Sequence, residues 1–332
     1  VSLESERLSL ALIEKYNLNS IRGTTIIINL GFNHFWRKKL DSVSRHEFFV
    51  AYQLAMSYGY INFAQLGFAG WLLTTLFFDN QLFDIHQVVR SFVNEMRDFD
   101  SKTGLTFLLP IWQLLLNLSG DVFNHDPSQL RGEALDEAFA CNIDSIDSKL
   151  ALMCLYIMES ITNYLFDDTE FMRNNVSLMT KYGNEAQGHF SMGFVQTWLA
   201  IFHYESYLAI GKRMHRRLAR RSHRKVHYWS KTGTEILYGP NCLLDAMAHL
   251  CLSKSSSDEL IIHFEEAAKC CRISNCQLLE ALAYERLSKV LRKYDPPESD
   301  RYNLYQIQAV AIYRKWGAIA KADHLEKKCR KG

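Results

Sequence analysis

The stretch Tyr305-Gln-Ile-Gln-Ala309-Val-Ala311-Ile-Tyr313-Arg-Lys-Trp316-Gly317-Ala-Ile-Ala320-Lys321-Ala-Asp-His-Leu325-Glu326 decides how this chain is read. On both sides of Gly317, apolar and small residues recur at three and four positions, the period of an α-helix. A glycine between two such runs supplies the left-handed residue that ends one helix and opens a turn. Alanines at 309, 311 and 320 put little volume where two helices would touch. The stretch therefore reads as helix, glycine turn, helix: an antiparallel hairpin.

Working outward, the same period predicts helices near 2–16, 20–38, 44–57, 61–78, 82–98, 103–118, 133–142, 147–165, 168–182, 189–210, 212–230, 241–253, 258–273, 276–293 and 300–329, the last broken at Gly317. The breaks carry turn residues: Asp79-Asn80, Ser119-Gly120-Asp121, Asp126-Pro127-Ser128, Tyr238-Gly239-Pro240-Asn241 and Asp295-Pro296-Pro297. Ser257-Asp258-Glu259 and Ser299-Asp300 are expected to cap the helices that follow them. Thr24-Thr25-Ile26-Ile27-Ile28 is β-branched, yet it stands alone in a helical context and is read as buried helix.

The last two hairpins align at a spacing of about forty residues. Glu266-Ala267-Ala268 lies over Ala309-Val-Ala311, and Leu282 over Leu325. Small residues on a first helix that admit a close second helix follow tetratricopeptide logic. The expected fold is all-α, with antiparallel helical hairpins stacked as a tetratricopeptide-like α-solenoid over one region, 1–332. In such a stack each repeat touches its neighbours and the terminal hairpin, 299–332, acts as a cap.

Composition agrees. Five prolines and 16 glycines in 332 residues leave little room for a turn-rich β fold. A net charge of +2 predicts neither nucleic acid nor an acidic membrane as a partner of the whole chain. The eight cysteines lack the spacing of a disulfide framework or zinc module. Reduced, buried thiols imply a cytoplasmic setting. From Phe48 to Phe78 no charged residue or histidine occurs. Gln53, Ser57, Asn62 and Gln65 punctuate that run, and Ser57-Tyr58-Gly59-Tyr60 reads as a turn, so two buried helices are expected rather than one bilayer span. The opening Val1-Ser-Leu-Glu, without an initiator Met, reads as the start of an excised segment of a longer protein.

The sharpest local feature is basic. Lys212, Arg213, Arg216, Arg217, Arg220, Arg221, Arg224 and Lys225 follow one another with no Asp or Glu between Glu205 and Glu235. Met214, Leu218 and Val226, with Tyr228 and Trp229, are expected to form an apolar stripe, making 212–231 a basic amphipathic helix. These eight residues are the candidate site for an anionic partner: an acidic protein, an anionic lipid surface or RNA. The competing reading is a solvated outer face whose arginines pair with acids on neighbouring repeats. His34, His46, His86, His189 and His203 are scattered, and Cys270, Cys271 and Cys276 lack a second pair, so no metal site is expected. Asp144 and Asp147, and Asp167, Asp168 and Glu170, are expected at helix starts, where carboxylates favour the dipole and cap free N–H groups. Trp112, Trp198 and Trp316 are expected in the core. No catalytic residue and no cofactor are assigned.

Several separated stretches together resemble one family. They are Gly31-Phe-Asn-His34-Phe-Trp36, Ala51-Tyr-Gln through Phe63-Ala64, Leu76-Phe77-Phe78, Pro110-Ile-Trp112-Gln113 through Gly120, Arg131-Gly132-Glu133, Trp229 with Pro240-Asn241, and the closing Tyr313-Arg-Lys-Trp316-Gly317-Ala-Ile-Ala320-Lys321. This order is similar to the helical-repeat region of large multidomain signalling ATPases and multikinase proteins. There a protein-kinase-like domain and an AAA/NACHT-type ATPase precede the helices, and a GAF domain with a histidine kinase, or another output domain, commonly follows. The chain departs from that pattern at Lys38-Lys39, where the family carries a proline. The resemblance implies a non-catalytic interaction and regulatory solenoid that relays between ATPase and output domains, with protein or neighbouring domains as partners. The alternatives are a free-standing adaptor of the same fold, or a binder of nucleic acid or anionic membrane through 212–231.

Overall fold

A computed structural model describes residues 3–34, 42–78, 82, 85–99, 102–120, 126–135, 148–182, 188–251, 256–294 and 300–329. Fifteen α-helices occur among them, and no strand. They are α1 (Leu3–Lys15), α2 (Arg22–Asn29), α3 (Ser42–Ser57), α4 (Ile61–Phe78), α5 (Ile85–Asp98), α6 (Lys102–Ser119), α7 (Lys149–Leu165), α8 (Thr169–Tyr182), α9 (Ser191–Ile210), α10 (Arg213–Lys231), α11 (Tyr238–Leu250), α12 (Ser257–Ile273), α13 (Gln277–Tyr294), α14 (Arg301–Trp316) and α15 (Ile319–Cys329). Successive helices pack as antiparallel pairs, most extensively α3 on α4, α9 on α10, α11 on α12 and α13 on α14. The chain is thus the all-α array of helical hairpins that its periodicity predicts. No helix among the described residues is long and apolar enough to cross a membrane.

Turn chemistry sets the hairpins. Gly59, Gly211 and Gly317 adopt φ of 77°, 69° and 97°, and end α3, α9 and α14. Asn17, Asp167 and Asn275 take the same left-handed region without being glycine, a conformation that asparagine and aspartate tolerate better than other side chains. The turn at Ser57–Tyr60 splits the uncharged run into α3 and α4, as expected.

Four expectations need correction. The helix predicted over 20–38 is a 3-10 turn at Asn19–Ile21, then α2, then a π turn at Leu30–His34. The Gly31 carbonyl accepts a hydrogen bond from Phe190 N at 2.9 Å, which draws it out of the helical ladder. The cap of α12 is Ser256, not Ser257: its hydroxyl accepts from Glu259 N, and Glu259 reaches back to Ser256 N. Asp300 occupies the cap position of α14, but its carboxylate caps no backbone N–H. Within the predicted helix 133–142, residues 133–135 form a bend and 136–142 lie outside the described residues. The expectations at Trp36, Asp79-Asn80, Asp144, Asp147, Asp295–Pro297 and Ser299 also lie outside them.

One core runs through most of the array, with Trp112, Trp198 and Trp316 all buried in it. A small separate cluster of Ile27, Ala51, Ala55 and Ala64 joins α2, α3 and α4. Ala267, Ala268 and Ala309 are buried between helices as small contact residues, but Ala311 is exposed. Contact between hairpins is also not restricted to neighbours. The final hairpin, α14–α15, folds back so that α15 packs on α6. Leu82 N donates to Trp316 O at 2.8 Å, fastening the α14–α15 turn beneath the start of α5. The last hairpin is therefore seated against the middle of the array.

Candidate functional site

The structure places the eight predicted cations on α10 and the residue before it. Lys212, Arg213, Arg217, Arg220, Arg221 and Arg224 are exposed, while Arg216 and Lys225 are half-buried. Ala219, Ser222 and Val226 form the buried face, against α9. The expected apolar stripe is narrower than predicted, because Met214 and Tyr228 are 53% and 65% exposed and share the outer face with the arginines. Their spacing from Ala219 and Val226 turns them away from α9. The expected pairing of these arginines with acids is not seen among the described residues, where none of the eight cations meets a carboxylate. There His223 of this helix does so, with Nε2 3.3 Å from Asp245. Arg216 instead lies over the Tyr207 ring at 5.6 Å.

Of the scattered histidines, His86 and His203 are buried, His189 is half-buried and His46 is exposed. Burial pushes His189 down to about 4. Burial and then the neighbouring His215 push His203 down to about 4. The Nδ1 atoms of these two rings lie 3.1 Å apart, one donating to the other, and Thr180 Oγ1 stands 3.3 Å from His203 Nε2. Cys270, Cys271 and Cys276 are buried free thiols. Among the described residues no three metal-ligating side chains converge.

A second constellation was not expected. Asp167 was read as a helix-start carboxylate; in the fold it is the hub of an ionic cluster joining α7, α13, α14 and α15. Its Oδ1 lies 2.8 Å from Lys289 Nζ, and its Oδ2 lies 3.0 Å from His324 Nε2 and 2.5 Å from Lys328 Nζ. Glu285 Oε1 lies 2.7 Å from Lys289 Nζ and 2.9 Å from Lys321 Nζ, while Tyr313 OH donates to Glu285 Oε2 at 3.0 Å. The Lys321 ammonium also donates to the Leu165 carbonyl at the end of α7. A branch continues through Arg286, 2.8 Å from Glu205 Oε2, with Tyr164 OH donating to Glu205 Oε1 at 3.0 Å.

The electrostatics follow from burial. Burial alone would raise the Glu285 carboxyl, but the ammoniums of Lys289 and Lys321 beside it hold it down to about 2. Asp167 sits well below the usual carboxylate range: burial opposes ionisation, and His324, Lys289 and Lys321 overcome it. Burial draws the Lys321 ammonium down while Glu285 draws it back. Lys321 and Glu285 are 0% and 2% exposed, so each satisfies the other and no solvent reaches either. A substrate would meet neither group without displacing α15. Chemically, the arrangement can hold elements together, with Lys321 and Glu285 closed inside it and Lys328 and His324 at its open edge.

The chain matches no protein-family model, no curated protein and no solved structure.

Proposed function

We propose that this chain is a non-catalytic interaction and relay module, in which the C-terminal hairpin is mechanically tied to the middle of the helical array. The observation that supports this reading is the buried contact of Lys321 with the Leu165 carbonyl and Glu285. Through it, a shift of the α7–α8 turn is felt directly by α15, without passing along the intervening hairpins. The convergent buried polar groups are occupied by one another, which favours a structural use over chemistry. Protein, or neighbouring domains of the same polypeptide, is the partner class.

Two measurements test this. Hydrogen exchange on Lys321→Met should show protection lost at both ends of the link, in α15 and at the end of α7. Loss confined to α15 would remove the mechanical basis of the relay. Isolation of the native protein with an antibody to this chain should return kinase or ATPase peptides in the same polypeptide. A polypeptide of this chain alone would favour the free-standing adaptor instead.

A further inference from the structure

The outer face of α10 borders a cleft that the relay reading does not use. Between α8, α9 and α10 lies a cleft of about 90 Å³ walled by Thr180, Gln196, His203, Ser222, Arg221 and Lys225. Arg221 and Lys225 also belong to a wider depression of about 590 Å³, with Arg217, Leu218 and Arg224. Among the described residues no wall of either is acidic. The narrow cleft has space for several waters, room for one phosphoryl group.

The chemistry of the walls is specific. Guanidinium groups match the oxygens of a phosphate in bidentate fashion, and an ammonium adds a point charge. Ser222 brings a hydroxyl to the cleft, while the Thr180 hydroxyl donates to the Val176 carbonyl at 2.7 Å. A phosphomonoester brings three acceptor oxygens and close to two charges; a side-chain carboxylate would leave part of this donor set unmet. Burial and the nearby Arg221 hold the Lys225 ammonium below its usual value, so the cations are crowded without a counter-charge. The wider depression sets Arg217 and Arg224 beside the cleft, positions for further phosphates at fixed spacing. Single-stranded nucleic acid is a poorer match, since it needs a run of aromatic platforms beside the cations, and this face offers the one exposed ring of Tyr228, a turn beyond Arg224.

We propose that the cleft between α8, α9 and α10, with the arginine depression beside it, binds clustered phosphomonoester groups such as those of a multiply phosphorylated inositol. The same headgroup chemistry can arrive free or on a lipid. Exposed Leu208, Ile210 and Met214 at the α9–α10 turn lie next to Lys212 and Arg213, where they would meet a lipid surface.

The test is calorimetric titration of the whole chain with inositol hexakisphosphate. Saturable binding is expected, weakened by salt as the cation contacts require. Arg217→Gln/Arg221→Gln/Lys225→Gln should lose about a hundredfold in affinity. Lys293→Gln/Lys315→Gln/Lys327→Gln, an equal charge change at exposed lysines elsewhere, should lose less than about threefold. Equal losses in both variants, or no binding by the native chain, would overturn the site. Should the triple variant fail to fold, Arg221→Lys keeps the charge and removes the fork; a loss of about fivefold or more supports the site, and unchanged affinity overturns it. Vesicles separate the sources. Binding to phosphatidylinositol bisphosphate well above phosphatidylserine of equal charge assigns a lipid headgroup. Binding to inositol hexakisphosphate without vesicle binding assigns a free ligand. Equal binding to both lipids without inositol hexakisphosphate binding, or tighter binding to a single-stranded RNA, overturns the proposal.

Discussion

Replacing Lys321 by methionine isolates the contribution of one buried charge. Methionine keeps the aliphatic stem, while the ammonium and its place over the Tyr313 ring, 5.5 Å from the ring centre, are lost. Two hydrogen bonds fail with it. The Leu165 carbonyl loses its donor, and Glu285 keeps only Lys289 and Tyr313. Breaking a buried pair by removing one partner costs about 3–5 kcal/mol. The surviving Lys289 contact places this case near the lower end. For 332 residues the unfolding entropy, about 2.1 cal/mol/K per residue, comes to about 0.7 kcal/mol/K. A loss of about 3 kcal/mol thus lowers Tm by about 4 °C. Circular dichroism melts at pH 7 read this directly, since Glu285 is fully ionised there. Adding Glu285→Leu should lower Tm by less than the two single changes combined, because an apolar pair replaces an unpaired buried carboxylate. A shift under about 1 °C for Lys321→Met, or strict additivity of the pair, would refute the reasoning.

Other perturbations follow from the same geometry. Acidification should lower stability in two stages. As pH falls from 6.5 toward 4, the unfolded chain takes up protons that His189 and His203 refuse while buried, their native values both being about 4. From 4.5 toward 2, the contribution of ionised Glu285, depressed to about 2, is lost as it protonates. A pH series of melts checks both stages, and a flat profile between pH 7 and 4 would contradict the first. Gly239→Ala should destabilise by about 2–3 kcal/mol, because its Cβ would stand 2.7 Å from Cys271 Cα, and the two helix backbones must part; denaturant titration reads the loss. Ser256→Ala removes the capping box of α12 and should cost about 1 kcal/mol, measured the same way. Ser257→Ala, one residue on, should change little.

Much of the local structure was legible in the chain. The hairpin at Gly317, the turn at Gly59 and the bounds of α4 follow from period and punctuation, because these depend on residues close in sequence. The start of α12 shows the limit of that approach. Three consecutive serines precede Asp258, and the register is settled by which serine has a glutamate three residues on: Ser256, with Glu259. The basic face was also visible, but not that it meets no acid among the described residues, since a sequence does not show what lies opposite a helix. The ionic cluster leaves a readable trace in two helical stripes. Ala318, Lys321, Ala322 and Leu325 share one helical stripe, as do Leu278, Ala281, Leu282 and Glu285. A lone lysine on one apolar stripe and a lone glutamate on another are a pair in waiting. Period alone says that each face is buried, and not that Lys321 would meet a carbonyl 156 residues away.

That separation has a consequence for the ribosome. The Leu165 carbonyl emerges with its end of α7 well before its donor exists. At about 5–20 residues per second, the 156-residue gap lasts roughly 10–30 s. Throughout that interval α6 lacks the helix that covers it, and Glu285, once made, awaits its second ammonium. The nascent chain must therefore hold an uncovered apolar surface at α6 until α15 has been made. Chaperone capture should concentrate on that window, and stalling just before Ile319 should lengthen it.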